Sequence, residues 1–371
     1  MAASVVLAAV LLVTGAPSAG AAGFSAGAAK IDITPPLEQA GSTDPGAFAS
    51  CPAAVFSGHR TWTFQEPYVD LNGNGVRDPN DPFCDANGNG HYDEIFTSGA
   101  SIGEPLAATG VHDPIDARAV AISDGAHTAV MVSVVAQGLF NTYIDRMIAA
   151  AKQRASIDFM VVSANHNESS PDTVGIYGGP STPALDPLPG LPAATGINDY
   201  YMSFLVDRVG QAAADAAHAL RPATLSAAQF SLPSPLGVRL SDNWPTTDNG
   251  DTRPTAIDPR IGVLQARDGG GQTIFSVMSL AAHNQEVGHT GTSLFSSDWP
   301  GFFHRRLESR IGGLAMFLVG DNGSEEDACA TSFLCSPNPT PGYAKAQATG
   351  EAYADAVAAR AVSAQPLRAG S

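Results

Sequence analysis

Three apolar runs, each ending in a polar tip with metal-capable side chains, constrain this chain more than any other feature. Ile157 to Val162 (IDFMVV) reads as a buried strand and runs into SANHNESSPD, residues 163–172. Thr273 to Ala282 ends at His283, and the run at 314–319 empties at Gly320 into a loop carrying Asp321, Asn322 and Ser324. Strand carboxyl ends are where α/β proteins gather their chemistry. If the backbone stays extended past the first run, positions 166 and 168 point to the same side, so His166 and Glu168 leave one strand end together. An imidazole and a carboxylate so placed read as part of a metal site or as an acid–base pair. The plainer alternatives are a polar loop with an incidental histidine at 166 and a hydrogen-bonded core histidine at 283.

The rest of the chain supplies a frame for those tips. Strands are predicted at 27–34, closed by Pro35-Pro36, and at 116–122, 127–136, 223–230, 261–267, 273–282 and 314–319. Helices are predicted from Thr142 to Arg154 with Asn141 as N-cap, from Asp199 to Leu220, and over 299–310 and 342–363. Ser297-Asp298 opens the third of these, with Pro300 in a first turn that tolerates it. Strands and helices alternate but include hairpin-like neighbours. The expected class is therefore α/β, a mixed β-sheet core flanked by helices. The Pro/Gly-rich stretch 169–197 begins three residues after His166 and reads as a pocket wall or lid.

A long insertion, about 37–111, contains two copies of Asp-x-Asn-x-Asn-Gly-x-x-Asp within residues 70–94. Calcium takes six to eight hard oxygen ligands, and alternating loop positions wrap them around the ion while the glycine permits the sharp turn. Asp70, Asn72, Asn74, Asp78 and Asp81 form one predicted set, and Asp85, Asn87, Asn89 and Asp93 the other. No flanking helices are evident, so these are calcium loops and not a pair of EF-hands.

Residues 4–14 (SVVLAAVLLVT) form a short apolar run followed by small residues. The pattern predicts a signal peptide over 1–22, a domain over 23–371 and a secreted product, although the start lacks the usual Lys or Arg. No run is long enough for a comfortable transmembrane segment. A formal charge of −17, from 36 acidic and 19 basic residues, argues against nucleic acid or an anionic membrane surface as partner. Four cysteines suit an oxidising compartment and allow three pairings.

Taken in order, these segments resemble the N-terminal catalytic region of the neutral/alkaline (non-lysosomal) ceramidases, a family of zinc amidases. GAAKIDITPP (27–36) is similar to the family's opening strand and HDPIDARAVAISDG (112–125) to its Arg-Ala strand. SANHNESSP stands where the family has Ser-Gly-Thr-His-Thr-His-Ser-Gly-Pro. LAAHNQEV followed by SSDWPG stands where it has Ala-x-His and Ser-Asp-x-x-Gly, and VGDNGS where it has Gly-Asp-x-Ser-Pro. The resemblance covers most of 24–365. It implies that His166 and His283 bind zinc, that the substrate is the N-acyl amide of ceramide or another lipid or small amide, and that Cys329 pairs with Cys335, leaving Cys51 and Cys84 for each other.

This chain also departs from the family. The second motif histidine is Glu168, and Ser324 sits one residue later than the family serine and precedes Glu325 instead of proline. The family's other two zinc ligands, a Glu and a Tyr, come from further downstream, and no Pro-Gly-Glu occurs here. Either the chain is a fragment or it completes a metal shell differently, with Glu168, Glu286, His289, Asp298 and Asp321 as local candidates. Glu168 or Asp321 is the expected general base, and Ser324 a candidate to bind or attack the substrate. Two other readings stay open: a metal-dependent amidase or esterase on another substrate, and a non-catalytic secreted calcium-binding module.

Overall fold

The computed structural model describes residues 23–35, 95–99, 106–108, 110–177, 196–231, 260–288, 292–320, 342–361 and 364–368, with the backbones of 237–240 and 325–329 and a few single positions. The predicted leader, Cys51, Cys84, Cys335, residues 178–195 of the predicted lid, His289, Asp321 and Ser324 lie outside the described residues. So do all the predicted calcium ligands except the exposed Asn72, namely Asp70, Asn74, Asp78, Asp81, Asp85, Asn87, Asn89 and Asp93.

In chain order, β1 (Phe24–Asp32), β2 (Gly110–Val111), β3 (Asp116–Ser123) and β4 (Thr128–Val134) precede α1 (Asn141–Lys152). Then come β5 (Phe159–Ala164), α2 (Asp199–His218), β6 (Arg221–Ser231), β7 (Gly237–Leu240), β8 (Arg260–Asp268) and β9 (Thr273–Leu280). The order ends with β10 (Leu294–Phe295), α3 (Asp298–Ile311), β11 (Leu314–Val319), β12 (Glu325–Cys329), α4 (Tyr343–Ala361) and β13 (Gln365–Pro366). The main sheet runs β11-β9-β8-β6-β1-β3-β4-β5, with β13 beside β6. Only β11–β9 and β4–β5 pair in parallel within it, so the sheet is mixed, as expected.

This sheet folds back on itself. β6 shares three residue pairs with β1 but nine with β8, so the connection between the two halves is narrow. β4 and β11 stand six places apart in the strand order, yet the Ser133 hydroxyl donates to the Phe317 carbonyl at 2.6 Å. Strand alternation then sorts the side chains into layers. Ala117, Ala119 and Ala121 of β3 and Val130, Val132 and Val134 of β4 face α1 and α2. Met278, Leu280, Ala315 and Phe317 face Trp299 and Phe303 of α3 and Tyr353 and Val357 of α4. The opposite faces, with Ala26, Val120, Leu225, Phe275, Val277 and Met316, meet between the halves. The result is helix, sheet, sheet, helix, with three apolar seams.

Arg118 lies in the middle seam, where it donates to the Ala315 carbonyl at 2.7 Å and pairs with Asp116 and Glu308. Burial would raise the Glu308 carboxyl, but the Arg118 and Lys30 cations outweigh it and hold that group below the usual range.

Two local expectations are corrected. The run at 157–162 is not a fully buried strand: β5 is a sheet edge, and Phe159 and Val161 are 62% and 61% exposed. Asn141 is not the N-cap of α1; Phe140 holds that place, with no side-chain cap bond. At α2 the cap is Asn198, whose side chain accepts from the Tyr201 amide at 2.9 Å.

His304 on α3 is 2% exposed, and its Nε2 accepts from the Phe317 amide at 3.1 Å. Burial first, then the Arg118, Lys30 and Arg305 cations, keep its pKa well below the ordinary value. A histidine held neutral by folding stabilises the native state above the unfolded pKa, near 6.5, and that contribution is lost as pH falls below it. The stability advantage of wild type over His304→Gln is therefore expected to shrink by about 1 kcal/mol or more between about pH 7.5 and 5.5. Denaturant unfolding at both pH values checks this, and a pH-independent difference would contradict a neutral buried imidazole.

Candidate metal centre

Parallel pairing makes β4 and β5 end together at one edge of one layer, and β9 and β11 end together in the other. Beyond β5 the ladder continues for alternate residues, with the Asn165 amide on the Val134 carbonyl and the Asn167 amide on the Ala136 carbonyl. His166 lies between them at φ 62°, in the left-handed region that non-glycine residues seldom adopt. The backbone is therefore not extended there, as the simplest reading assumed. His166 Nδ1 donates to the Gln137 carbonyl at 3.1 Å, which places the proton on Nδ1 and leaves Nε2 as the ligating nitrogen, 3.6 Å from Glu168 Oε1.

The second layer arrives through a short parallel bridge between Asn167 and Asn284. The Glu168 amide donates to the Asn284 carbonyl at 3.2 Å, and Asn284 Nδ2 donates to the Asn165 carbonyl at 2.5 Å. These bonds set His283 edge-on to His166, with ring centroids 4.6 Å apart at 77°. One ligand atom from each of His166, Glu168 and His283 lies within 4.8 Å of the others. Glu168 is nearly buried, whereas the His166 side chain is 30% exposed and opens the cluster to solvent.

This donor set fits zinc. Two imidazole nitrogens and one carboxylate are a catalytic zinc set that leaves a coordination position open. The carbonyl behind His166 is the usual partner that orients a ligating imidazole. Polar capacity also remains around the cluster. Both side-chain amide atoms of Asn165, Asn284 Oδ1 and Gln137 Oε1 are buried with no hydrogen-bond partner among the described residues. Such atoms are rare in native proteins unless something further binds them.

Two glycines close on Glu168. A Cβ at Gly288 would overlap the Glu168 carbonyl and lie 2.5 Å from its Cβ, and one at Gly99 would lie 3.0 Å from the same Cβ. Gly99 also sits at φ 83°, so a side chain there is excluded twice. Behind His283, Trp299 Nε1 donates to its carbonyl at 2.8 Å.

Asp298, fully buried at φ 53°, accepts from the Val287 and Trp299 amides and thereby ties the segment after His283 to the start of α3. Burial, with smaller contributions from Asp113 and Glu168, raises its carboxyl to about 7 against those two bonds. Asp113 braces the same region, accepting from the Ser296 hydroxyl at 2.6 Å, the Ser297 amide at 3.0 Å and His112 Nδ1 at 2.8 Å. His112-Asp113 thus supports the start of α3.

Of the local candidates for a third ligand, the structure brings Glu168 to the histidines. Glu286 pairs instead with Lys345 at 2.5 Å, and Asp298 is engaged as described. The geometry thus assigns Glu168 to the cluster itself, where the sequence reading also offered it as a general base. Gln137, Gly99 and Gly288 were not anticipated. Gln137 had a usable signal, since it too follows an apolar strand run; Gly99 and Gly288 had none, because close packing leaves no local pattern.

No protein-family model and no curated protein sequence matches this chain. Solved structures do. The crystal structure of neutral ceramidase from Pseudomonas aeruginosa matches with a TM-score of 0.60 at 14% identity, covering 93% of this chain and 46% of that one. A ceramidase complexed with C2 matches at 0.57 and 14%, covering 93% and 45%. Among the described residues no helix is long and apolar enough to cross a membrane. The chain has the fold of a neutral ceramidase-like region and spans less than half the length of the structures it matches.

Proposed function

We propose that this chain is a zinc-dependent hydrolase that cleaves the N-acyl amide of a ceramide-like lipid to a fatty acid and a sphingoid base. The observation that carries the reading is the convergence of His166, Glu168 and His283 from two different layers, with their ligand atoms within 4.8 Å of one another. The shared fold of the ceramidase structures supports the substrate class. Export and calcium binding by the Asp/Asn/Gly loops belong to the same reading and rest on the sequence patterns alone.

Zinc, when bound, supplies Lewis-acid polarisation of the scissile carbonyl. The chain's own residues do the rest. His166 Nε2, His283 and Glu168 hold the ion, and the Gln137 carbonyl keeps His166 in the tautomer that presents Nε2. The exposed edge of His166 admits the substrate. With Glu168 among the ligands, Asp321 takes the role of general base and Ser324 that of a substrate-binding or attacking hydroxyl. Both belong to the segment after β11, whose last residue pairs with the end of β9.

Metal analysis of the purified protein in excess calcium tests this. About one zinc per chain is expected, together with hydrolysis of labelled ceramide that a chelator abolishes and zinc restores. Protein that binds calcium but takes up no zinc would instead be a calcium-binding module.

A further inference from the structure

The two ends of the main sheet are treated differently. At one end β11 is covered, with Ala315, Met316 and Phe317 all buried. At the other end β5 pairs, among the described residues, with β4 alone, and Phe159 and Val161 stand more than half exposed. Its sequence, FMVVSA, contains neither a charge nor a proline, the residues that usually keep an edge strand from pairing further. The backbone is also set to accept another strand. Beyond β5, the Asn165 and Asn167 amides bond to the Val134 and Ala136 carbonyls. Backbone groups alternate in direction along a strand, so Phe159, Val161 and Ser163 bond towards β4, while Met160 and Val162 turn their amides and carbonyls to the open side.

The helix over this edge adds a charge pattern. α1 meets α2 through Ala150, which packs on Gly210, and through Arg154, which pairs with Asp207 at 2.5 Å. Met147 and Ala151 of α1 are buried in the seam against the sheet. Helical spacing then turns Asp145, Ala149 and Lys152 away from α2, and all three are exposed. Asp145 and Lys152 lie about two turns apart, an acid and a base at opposite ends of one row. The formal charge of −17 opposes self-association in general. Along this flank it does not, because Arg146, Lys152 and Arg154 offset Asp145 and Asp158.

We propose that β5 pairs antiparallel with β5 of a second copy of this chain, about a two-fold axis through Val161. Met160 and Val162 then exchange backbone hydrogen bonds with Val162 and Met160 of the second copy. Val161 stands opposite its own counterpart with Phe159 on the diagonal, so the exposed apolar side chains cover one another. The same axis lays the two α1 helices antiparallel on one face, and Asp145 of each copy meets Lys152 of the other. A two-fold interface must be self-complementary in this way. A foreign strand would find the same backbone groups but not the reciprocal charges. One strand and one helix flank make a small interface, so the dimer forms with a Kd on the order of 10 μM.

Sedimentation of the full chain over a range of concentrations tests the pairing, with a doubling of mass expected as concentration rises. Val161→Lys sets two like charges at the axis and should raise the Kd at least about 10-fold. Its thermal unfolding should match that of wild type, because the side chain is exposed. Asp145→Lys should weaken association by about 5-fold, and adding Lys152→Asp to it should restore the wild-type value. Val161→Cys should give a dimer cross-linked through residue 161 on mild oxidation, since directly opposed residues of this kind stand about 4.5 Å apart at Cα. Wild type that stays monomeric at about 100 μM overturns the proposal, and slow hydrogen exchange at Met160 and Val162 would then show another segment of the chain on the edge. A dimer indifferent to Val161→Lys, or a charge swap that restores nothing, overturns it equally.

Discussion

A His166→Ala protein is expected to lose its zinc while remaining folded. Two ligands would remain from a set of three, and the apparent affinity should fall by a factor on the order of 1,000, with ceramide hydrolysis falling at least as far. The fold should survive because this side chain is 30% exposed and belongs to none of the apolar seams. The left-handed backbone at φ 62° is a separate concern, since alanine tolerates it no better than histidine. His166→Asn provides the control. Asparagine accepts that conformation more readily but cannot present a ring nitrogen at the imidazole's reach. Equilibrium competition against a chelator, with thermal unfolding in parallel, checks both variants. Wild-type zinc affinity in the two would place the metal elsewhere.

The second large effect is expected at a residue with no side chain. Gly288→Ala adds one methyl group that overlaps the Glu168 carbonyl and comes within 2.5 Å of the Glu168 Cβ. Both atoms belong to a buried segment held to Asn284 and Ser296, so neither can give way freely. The overlap must move Glu168 relative to the two histidines. Zinc affinity is expected to fall by about 10- to 100-fold, the range seen when residues that orient metal ligands are altered. The overpacking should cost about 1–3 kcal/mol of stability. Glu168→Gln separates the two consequences, because it weakens the metal site without adding volume. If Gly288→Ala bound zinc as tightly as wild type, Glu168 would not be a ligand held by packing.

Much of this arrangement was legible before any coordinates. β11 spans the expected residues, and β3, β8 and β9 lie within two residues of theirs, because a short apolar run and the residues that break it are both local. The polar tips at His166 and His283 were legible for the same reason. The expected failures are also physical. Phe159 and Val161 carry the composition of a buried strand, but whether a strand lies at an edge depends on what pairs beside it. Asn141 is a good capping residue, but the chain enters α1 one residue earlier.

What the sequence by itself determined was the set of chemical groups and the strand ends that carry them. Imidazoles at 166 and 283 and a carboxylate at 168 follow from residue type and local pattern alone. That Glu168, among the candidates that belong to the described residues, stands beside them was decided by the tertiary structure. β9 and β5 stand six places apart in the strand order, so His283 reaches His166 only because the sheet turns at the narrow β1–β6 junction. The Asn167–Asn284 bridge then locks the two layers together, and Gly99 and Gly288 leave space for Glu168 alone between them and the histidines. A sheet's fold-back and the absence of a side chain at a contact are properties of distant pairs, and no window along the chain contains both partners.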